Sequence, residues 1–404
     1  MCADTLRVAL VVPNVGAYTG GMERMMKLVE HSASAGIAFT AFLPDGRAPN
    51  PAVGAGLADL ERSGRVGLEP LGPGRIDARS YDAVGIPTEY WWGPWKRARK
   101  AGLRGPTRID CQLLPYIGSL DLLKTARIAN PGLSDLVRLP FLQASRFSDG
   151  LAASAVQTAA CIATVRGLRR FRENNVLAIS PVVAKGLAAI GYRGPVAVPG
   201  CPNGIDREPV EASLRPDVGL EFDAAFAARG HPQKGFLDLP IIVARLKERA
   251  GRLRVAVCGG ADDPRYEVRF GRLASELGVR ENLVRLGHVP RDELYLVLRR
   301  SRMLLYPSYV DSFSLTVLES LALGVPVVAY DTDAMATIWA RRPGVFRSPV
   351  GNPDALAALA ADLLADGRLD EARHAAIRAS PGLLAEYTWA RAAADERKFY
   401  EAGG

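Results

Sequence analysis

With 404 residues, 48% of them hydrophobic and 23% charged, the chain exceeds what one ordinary core serves and reads as a soluble globular protein of two domains. Its formal net charge of +8 suits an anionic partner, whether nucleic acid, a membrane surface or a phosphorylated substrate, without choosing among them. Cys2, Cys111, Cys161, Cys201 and Cys258 are odd in number, scattered and free of Cys-x-x-Cys pairs, which argues against a zinc site or disulfide framework and for a reducing, cytoplasmic compartment.

Met1–Arg7 leads into only about six apolar residues before Pro13, so this start reads as a first strand and not as a signal-peptide core. Arg7–Pro13 is that strand. A glycine-containing loop, Gly16–Gly21, and a helix over Met22–Ser34 follow. Gly20 and Gly21 let backbone approach a phosphate at the helix start, although a plain loop explains them equally well. Ala38–Leu43, Val66–Leu71, Asp82–Pro87 and Arg108–Leu114 are further strands separated by helical or turn-rich segments, an alternation that predicts a parallel sheet.

Glu89–Arg104 sets Trp91, Trp92 and Trp95 beside Lys96, Arg97, Arg99, Lys100 and Arg104. Such a segment suits a lipid-headgroup interface or an anionic acceptor, and it equally describes a solvated helix with tryptophans packed beneath it. Leu151–Val165 carries no charge and runs into Arg166, Arg169, Arg170 and Arg172. It is too short for a membrane span and reads as a buried helix with a basic end. Val176–Ser180 and Val196–Val198 are strands. After the turn Pro202-Asn203-Gly204-Ile205-Asp206, the stretch Glu208–Gly219 holds two prolines and no periodicity, which predicts a linker. The boundaries expected are therefore 1–207 and 208–386, with a final helix over 387–404.

The second domain opens with a strand at Phe222–Ala228 and a basic loop, Arg229-Gly-His-Pro-Gln-Lys234-Gly235. An arginine and a lysine in one strand-to-helix loop can converge on a diphosphate, one as a planar fork and the other as a point charge. Leu253–Gly260 and Asn282–Val289 continue the strand series. Met303–Tyr306 and Val325–Tyr330 are buried strands flanking a short helix, Leu315–Leu323, that Gly324 closes in the C′ position. The loop before that helix carries Asp311, and Glu319 lies one turn inside the helix. The backbone N–H groups of Ser312, Phe313, Ser314, Leu315 and Thr316 offer donors to an anion at a helix N-terminus. Thr316-x-x-Glu319 also fits a capping box, with Asp311 as a solvated loop residue. Asp331-Thr332-Asp333 could bind a divalent metal, but a turn is the simpler account of it.

The string YPSYVDSFSLTVLESLALGVPVVA resembles the signature of the two-domain retaining glycosyltransferases of family 4, in which Pro-Ser precedes a Glu-x7-Glu pair, a Phe-Gly-Leu turn and a Gly-x-Pro-Val-Val strand. Asp311 stands for the first glutamate and Ser314 for the usual glycine. Arg229–Gly235 is similar to the family's Gly-Arg-x4-Lys-Gly element, and Pro202–Asp206 to the turn that ends its first domain. The resemblance implies an α/β, GT-B architecture: two Rossmann-like domains facing across a cleft, with the helix after Tyr387-Thr-Trp389 crossing back to the first. It implies transfer of a sugar, with retention and without metal or cofactor, from a nucleotide-sugar donor to a glycan or lipid-linked acceptor held mainly by the first domain. Peripheral membrane association goes with such an acceptor, and nucleic acid does not. In these terms Arg229 and Lys234 stabilise the leaving diphosphate, Asp311 orients sugar hydroxyls, Glu319 holds the ribose, Gly20 and Gly21 approach the donor, and backbone at Gly287 and Val289 holds the base. The histidine that many relatives carry near the sugar has no counterpart between Ala83 and Leu114. A sugar-nucleotide epimerase or hydrolase, and a non-catalytic sugar-nucleotide-binding protein, are the alternative readings.

Overall fold

The computed structural model describes residues 5–12, 20–44, 49–72, 77–87, 92–102, 107–111, 167, 175–189, 191–215, 218–261 and 263–402. They fall into two compact units, one made of the described residues up to Gly204 together with the chain from Tyr387, the other of Ile205–Glu386.

The described strands of the first unit are β1 (Leu6–Val11), β2 (Ile37–Leu43), β3 (Val66–Pro70), β4 (Ala83–Ile86), β5 (Arg108–Cys111), β6 (Asn175–Ala178) and β7 (Val196–Ala197). They pair in parallel in the order β3-β2-β1-β4-β5-β6-β7. Val8, Ala9, Leu10 and Val11 of β1 are all buried, as expected of a strand covered on both faces, and their apolar run is what the alternation of elements required. The helix Gly20–His31 starts two residues before the expected Met22 and passes into a 3-10 turn, Ser32–Ala35.

The returning helix, Trp389–Glu401, packs on this first unit, as the family resemblance implied. Arg397 Nη1 donates to the carbonyls of Ala35 (2.9 Å) and Gly36 (2.8 Å). Glu396 meets Arg24 (2.7 Å), and Asp395 accepts the Cys201 N–H (2.9 Å). A Cβ on Gly204 would lie 2.2 Å from the backbone nitrogen of Trp389, so the turn at Pro202–Asp206 needs glycine for the chain to pass this closely.

In the second unit β8 (Ala224–Ala227), β9 (Val255–Cys258), β10 (Leu283–Gly287), β11 (Leu304–Tyr306), β12 (Val327–Tyr330) and β13 (Val345–Ser348) form a parallel sheet in the order β10-β9-β8-β11-β12-β13. This is the doubly wound order, and it reverses between β8 and β11. Every strand expected of this unit is present, with ends that agree to within two residues. The expected helix at Leu315–Leu323 spans Leu315–Ala322, and Gly324 follows at φ 74°.

One expectation fails. Glu208–Gly219 is not a linker from its start, because Arg207–Leu214 is a helix. Pro209 sits in its first turn, where the missing N–H has no intrahelical acceptor to lose, and Val210 is buried. The sequence signal was weak because the helix is short and buries a single large apolar side chain. The helix Trp92–Lys100 confirms a helical core for the tryptophan-rich segment, with Lys96, Arg97 and Lys100 exposed. Its flanks, including Trp91 and Arg104, lie outside the described residues, as do residues 112–114, the Leu151–Val165 segment and Arg166, Arg169, Arg170 and Arg172. No described helix is long and apolar enough to cross a membrane.

Candidate functional site

The reversal of strand order in the second unit places two loops side by side at the carboxyl ends of β8 and β11, the position at which doubly wound sheets bind ligands. The loop after β8 carries Arg229 and Lys234, and the loop after β11 carries Asp311 to Ser314. Two backbone bonds tie in the neighbouring strand ends. Gly230 N–H donates to the Gly260 carbonyl (2.7 Å), and Gly259 N–H to the Gly287 carbonyl (2.6 Å). Gly235 lets the first loop touch the second: it has φ 73°, and a Cβ there would lie 2.1 Å from the Pro307 carbonyl oxygen.

Lys234 and Asp311 meet at this junction. Lys234 Nζ donates to Asp311 Oδ2 (3.0 Å) and to the Val310 carbonyl (3.1 Å). The same Oδ2 accepts from the Tyr306 hydroxyl, while Oδ1 accepts from the N–H groups of Ser312 (2.9 Å) and Phe313 (3.4 Å). Burial opposes ionisation of Asp311, but the Lys234 charge and the bonds from Tyr306, Lys234 and Phe313 outweigh it and hold the carboxyl below its usual range. The Tyr306 hydroxyl is pushed well above its ordinary value, first by burial and then by the Asp311 charge, so it stays a donor.

Ser314 forms the N-cap of the Leu315–Ala322 helix at φ 75° and ψ 76°, the left-handed region that costs a side-chain-bearing residue about 1 kcal/mol or more. Its hydroxyl is buried and forms no cap bond. Phe313 is anchored behind it, with its carbonyl accepting Trp339 Nε1 (2.5 Å) and its ring edge-on to that indole. Helix geometry leaves the N–H groups of Leu315 and Thr316 without intrahelical acceptors. This end of the helix is therefore suited to an anion.

Because Ser314 is the N-cap, Glu319 falls too deep in the helix for the capping box that Thr316 suggested. It is 5% exposed. Its Oε1 accepts from the Tyr295 hydroxyl (3.2 Å) and lies 3.5 Å from Arg291 Nε, both on the helix Arg291–Arg299. Arg291 also reaches Asp206 at 4.0 Å. Burial, then the Glu319 charge, raises the Tyr295 hydroxyl far above its ordinary value. Tyr306, Tyr295 and Arg291 were not singled out from sequence. Tyr306 ends a strand read only as apolar, and the other two sit on a helix that precedes the Met303–Tyr330 stretch.

The remaining expected residues are placed as follows. Arg229 is exposed in the loop after β8. Gly287 ends β10 at φ 68° where the register with β9 shifts, and Val289 follows half-buried. Gly20 and Gly21 open the Gly20–His31 helix of the other unit. Asp331 is engaged by Arg347 Nη1 (2.5 Å), and among the described residues no group of three or more His, Cys, Asp or Glu side chains is arranged to hold a metal.

Two parallel, doubly wound sheets define an α/β protein of the GT-B fold. Residues 218–381 match the model of the family described as glycosyl transferases group 1. The chain is similar to a D-inositol 3-phosphate glycosyltransferase of Corynebacterium efficiens, 39% identical over 121 residues, and to that of Corynebacterium jeikeium, 31% identical over 198. The matches cover 28% and 46% of this chain and the same shares of those proteins, so the chain spans less than half the length of the curated relatives it matches. In fold it is similar to Anabaena HepE, solved in complex with UDP-glucose, with a TM-score of 0.66, 15% identity and coverage of 98% of this chain and 99% of that one.

Proposed function

We propose that the protein transfers a sugar from a nucleoside-diphosphate donor to an acceptor hydroxyl, with retention of configuration and without a metal ion. The observation that carries this reading is the convergence of Lys234 and the N-terminus of the Leu315–Ala322 helix at the switch point of the second unit. In the reaction the bond from the anomeric carbon to the β-phosphate oxygen breaks, and that oxygen keeps the electron pair. The acceptor oxygen bonds the carbon and releases its proton. Charge therefore builds on the leaving diphosphate, where Lys234, Arg229 and the N–H groups of the helix start are suited to meet it. Glu319, a carboxylate that only accepts hydrogen bonds, is suited to a pair of ribose hydroxyls. The partial relatives' names suggest an inositol phosphate among the acceptors, and the HepE complex suggests UDP-glucose among the donors.

The exposed Lys96, Arg97 and Lys100, with Arg99 stacked 5.2 Å from the Trp95 ring centre, support peripheral docking on an anionic membrane that carries an acceptor. Vesicle sedimentation checks this, and equal absence from neutral and anionic lipid refutes it.

The main test measures nucleoside diphosphate release from UDP-glucose, GDP-mannose and ADP-glucose, with and without D-inositol 3-phosphate or a lipid-linked sugar, in EDTA. Acceptor-dependent release in EDTA, with an axial donor giving an axial product by NMR, is the expected result. Acceptor-independent release would indicate a hydrolase or epimerase, and binding without release a non-catalytic protein. Either outcome overturns the reading.

A further inference from the structure

A carboxylate has room for about four hydrogen bonds, two at each oxygen. Asp311 receives four from the protein itself: Ser312 and Phe313 N–H at Oδ1, Lys234 Nζ and the Tyr306 hydroxyl at Oδ2. Lys234 is different. Its ammonium has three N–H donors, and two are spent, on Asp311 and on the Val310 carbonyl. The pair bridges the two loops of the switch point, and its saturated member is the more buried of the two while its unsaturated member retains a donor.

We propose that Asp311 is a positioning residue that fixes Lys234 for the diphosphate and does not read the transferred sugar, with Tyr306 as the further positioning residue that completes its hydrogen-bond set. This rests on the donor-site reading above and changes the role assigned to one of its residues. The lysine stem has four rotatable carbons and loses much freedom when its head is held. Two fixed acceptors settle that cost before any ligand arrives. Tyr306 contributes because an aspartate saturated by lysine alone at Oδ2 would keep an open lone pair. The tyrosine rises from the end of β11, five residues earlier, and closes it. Selection among donor sugars then falls to groups other than Asp311.

The substitution Asp311→Asn separates the alternatives. An asparagine oxygen placed at the Oδ1 position still accepts from Ser312 and Phe313 N–H, so the turn is retained, while its NH2 group cannot accept from Lys234 or Tyr306. Calorimetry would compare UDP with UDP-glucose, GDP with GDP-mannose, and ADP with ADP-glucose, for the wild type, Asp311→Asn, Tyr306→Phe, Lys234→Met and Lys234→Met/Asp311→Asn. For a pair that the wild type binds, both single changes at the carboxylate and its tyrosine should leave the ratio of sugar-nucleotide to free-diphosphate affinity within about twofold, the usual error of additivity. In the Lys234→Met background, Asp311→Asn should shift diphosphate affinity no further, because its effect runs through the lysine. A general collapse of the loop would go on adding there. Loss of about tenfold or more for the sugar nucleotide alone, with free diphosphate affinity kept, would show that Asp311 holds the sugar and overturn the proposal. So would full additivity with Lys234→Met. Failure of the wild type to bind any of the six ligands would instead overturn the donor-site reading on which it rests.

Discussion

Arg24 offers a severe test of how the first unit is held together. Its guanidinium is 1% exposed. It donates to Asp110 Oδ2 (2.6 Å), Glu396 Oε1 (2.7 Å) and the Pro202 carbonyl (2.7 Å), joining residues from four distant parts of the chain. Replacing it with methionine fills the volume but leaves two buried carboxylates without their cation and a carbonyl without a donor. Breaking a buried ion pair from one side costs about 3–5 kcal/mol, against a total stability of about 5–15 kcal/mol for a domain. Hydrogen exchange read on peptides of the Trp389–Glu401 helix, together with urea unfolding, measures the loss where it falls.

The loss should depend on pH. Burial raises the Glu396 carboxyl from 4.5 to about 7, against the pull of Arg24. A group whose folded value is raised favours folding most below its unfolded value, and that contribution is lost as pH climbs through the folded one. Wild-type stability from this group therefore falls between about pH 4.5 and 7, each tenfold difference in proton affinity between the folded and unfolded chain being worth ~1.4 kcal/mol. Without Arg24 the folded value rises further and the fall extends to higher pH, so Arg24→Met should be hurt more at pH 8 than at pH 5. A deficit below about 1 kcal/mol at pH 8, or one of equal size at both pH values, would refute this reasoning.

Other outcomes follow from the second unit. Glu319→Ala strands the buried Tyr295 hydroxyl and should lower stability by about 1–3 kcal/mol in urea unfolding, while also abolishing nucleotide binding. Tyr295→Phe should keep binding, and if both variants bind alike the carboxylate does not meet the ligand. Ser314→Gly removes a left-handed serine whose hydroxyl makes no cap bond, so the urea midpoint should rise, by about 0.5 kcal/mol or more in stability. An unchanged or lower midpoint counts against the strain. Gly235→Ala drives a Cβ into the Pro307 carbonyl and should cost about 2 kcal/mol or more, with diphosphate affinity falling too, as calorimetry would reveal.

The class of fold and most of the strand series were legible in the chain itself, Val345–Ser348 being a strand it did not announce. Those features depend on neighbours in the chain: β-branched runs such as Val325–Tyr330 specify buried strands, Gly324 closes a helix, and a loop between strand and helix must carry unpaired N–H groups. The same reasoning failed at Arg207–Leu214, where too few buried positions fell within one short segment to reveal a period. How polar groups are shared depends instead on the packing of distant segments. Nothing near Asp311 in the sequence reveals that Lys234, seventy-seven positions away, and Tyr306 saturate its Oδ2, or that Tyr295 and Arg291 of a preceding helix hold Glu319. Arg24, Asp110 and Glu396 look like ordinary surface charges in the sequence. A charged side chain becomes buried only when folding brings it partners whose hydrogen bonds offset the loss of water, and those partners come from whichever elements the sheet order makes adjacent.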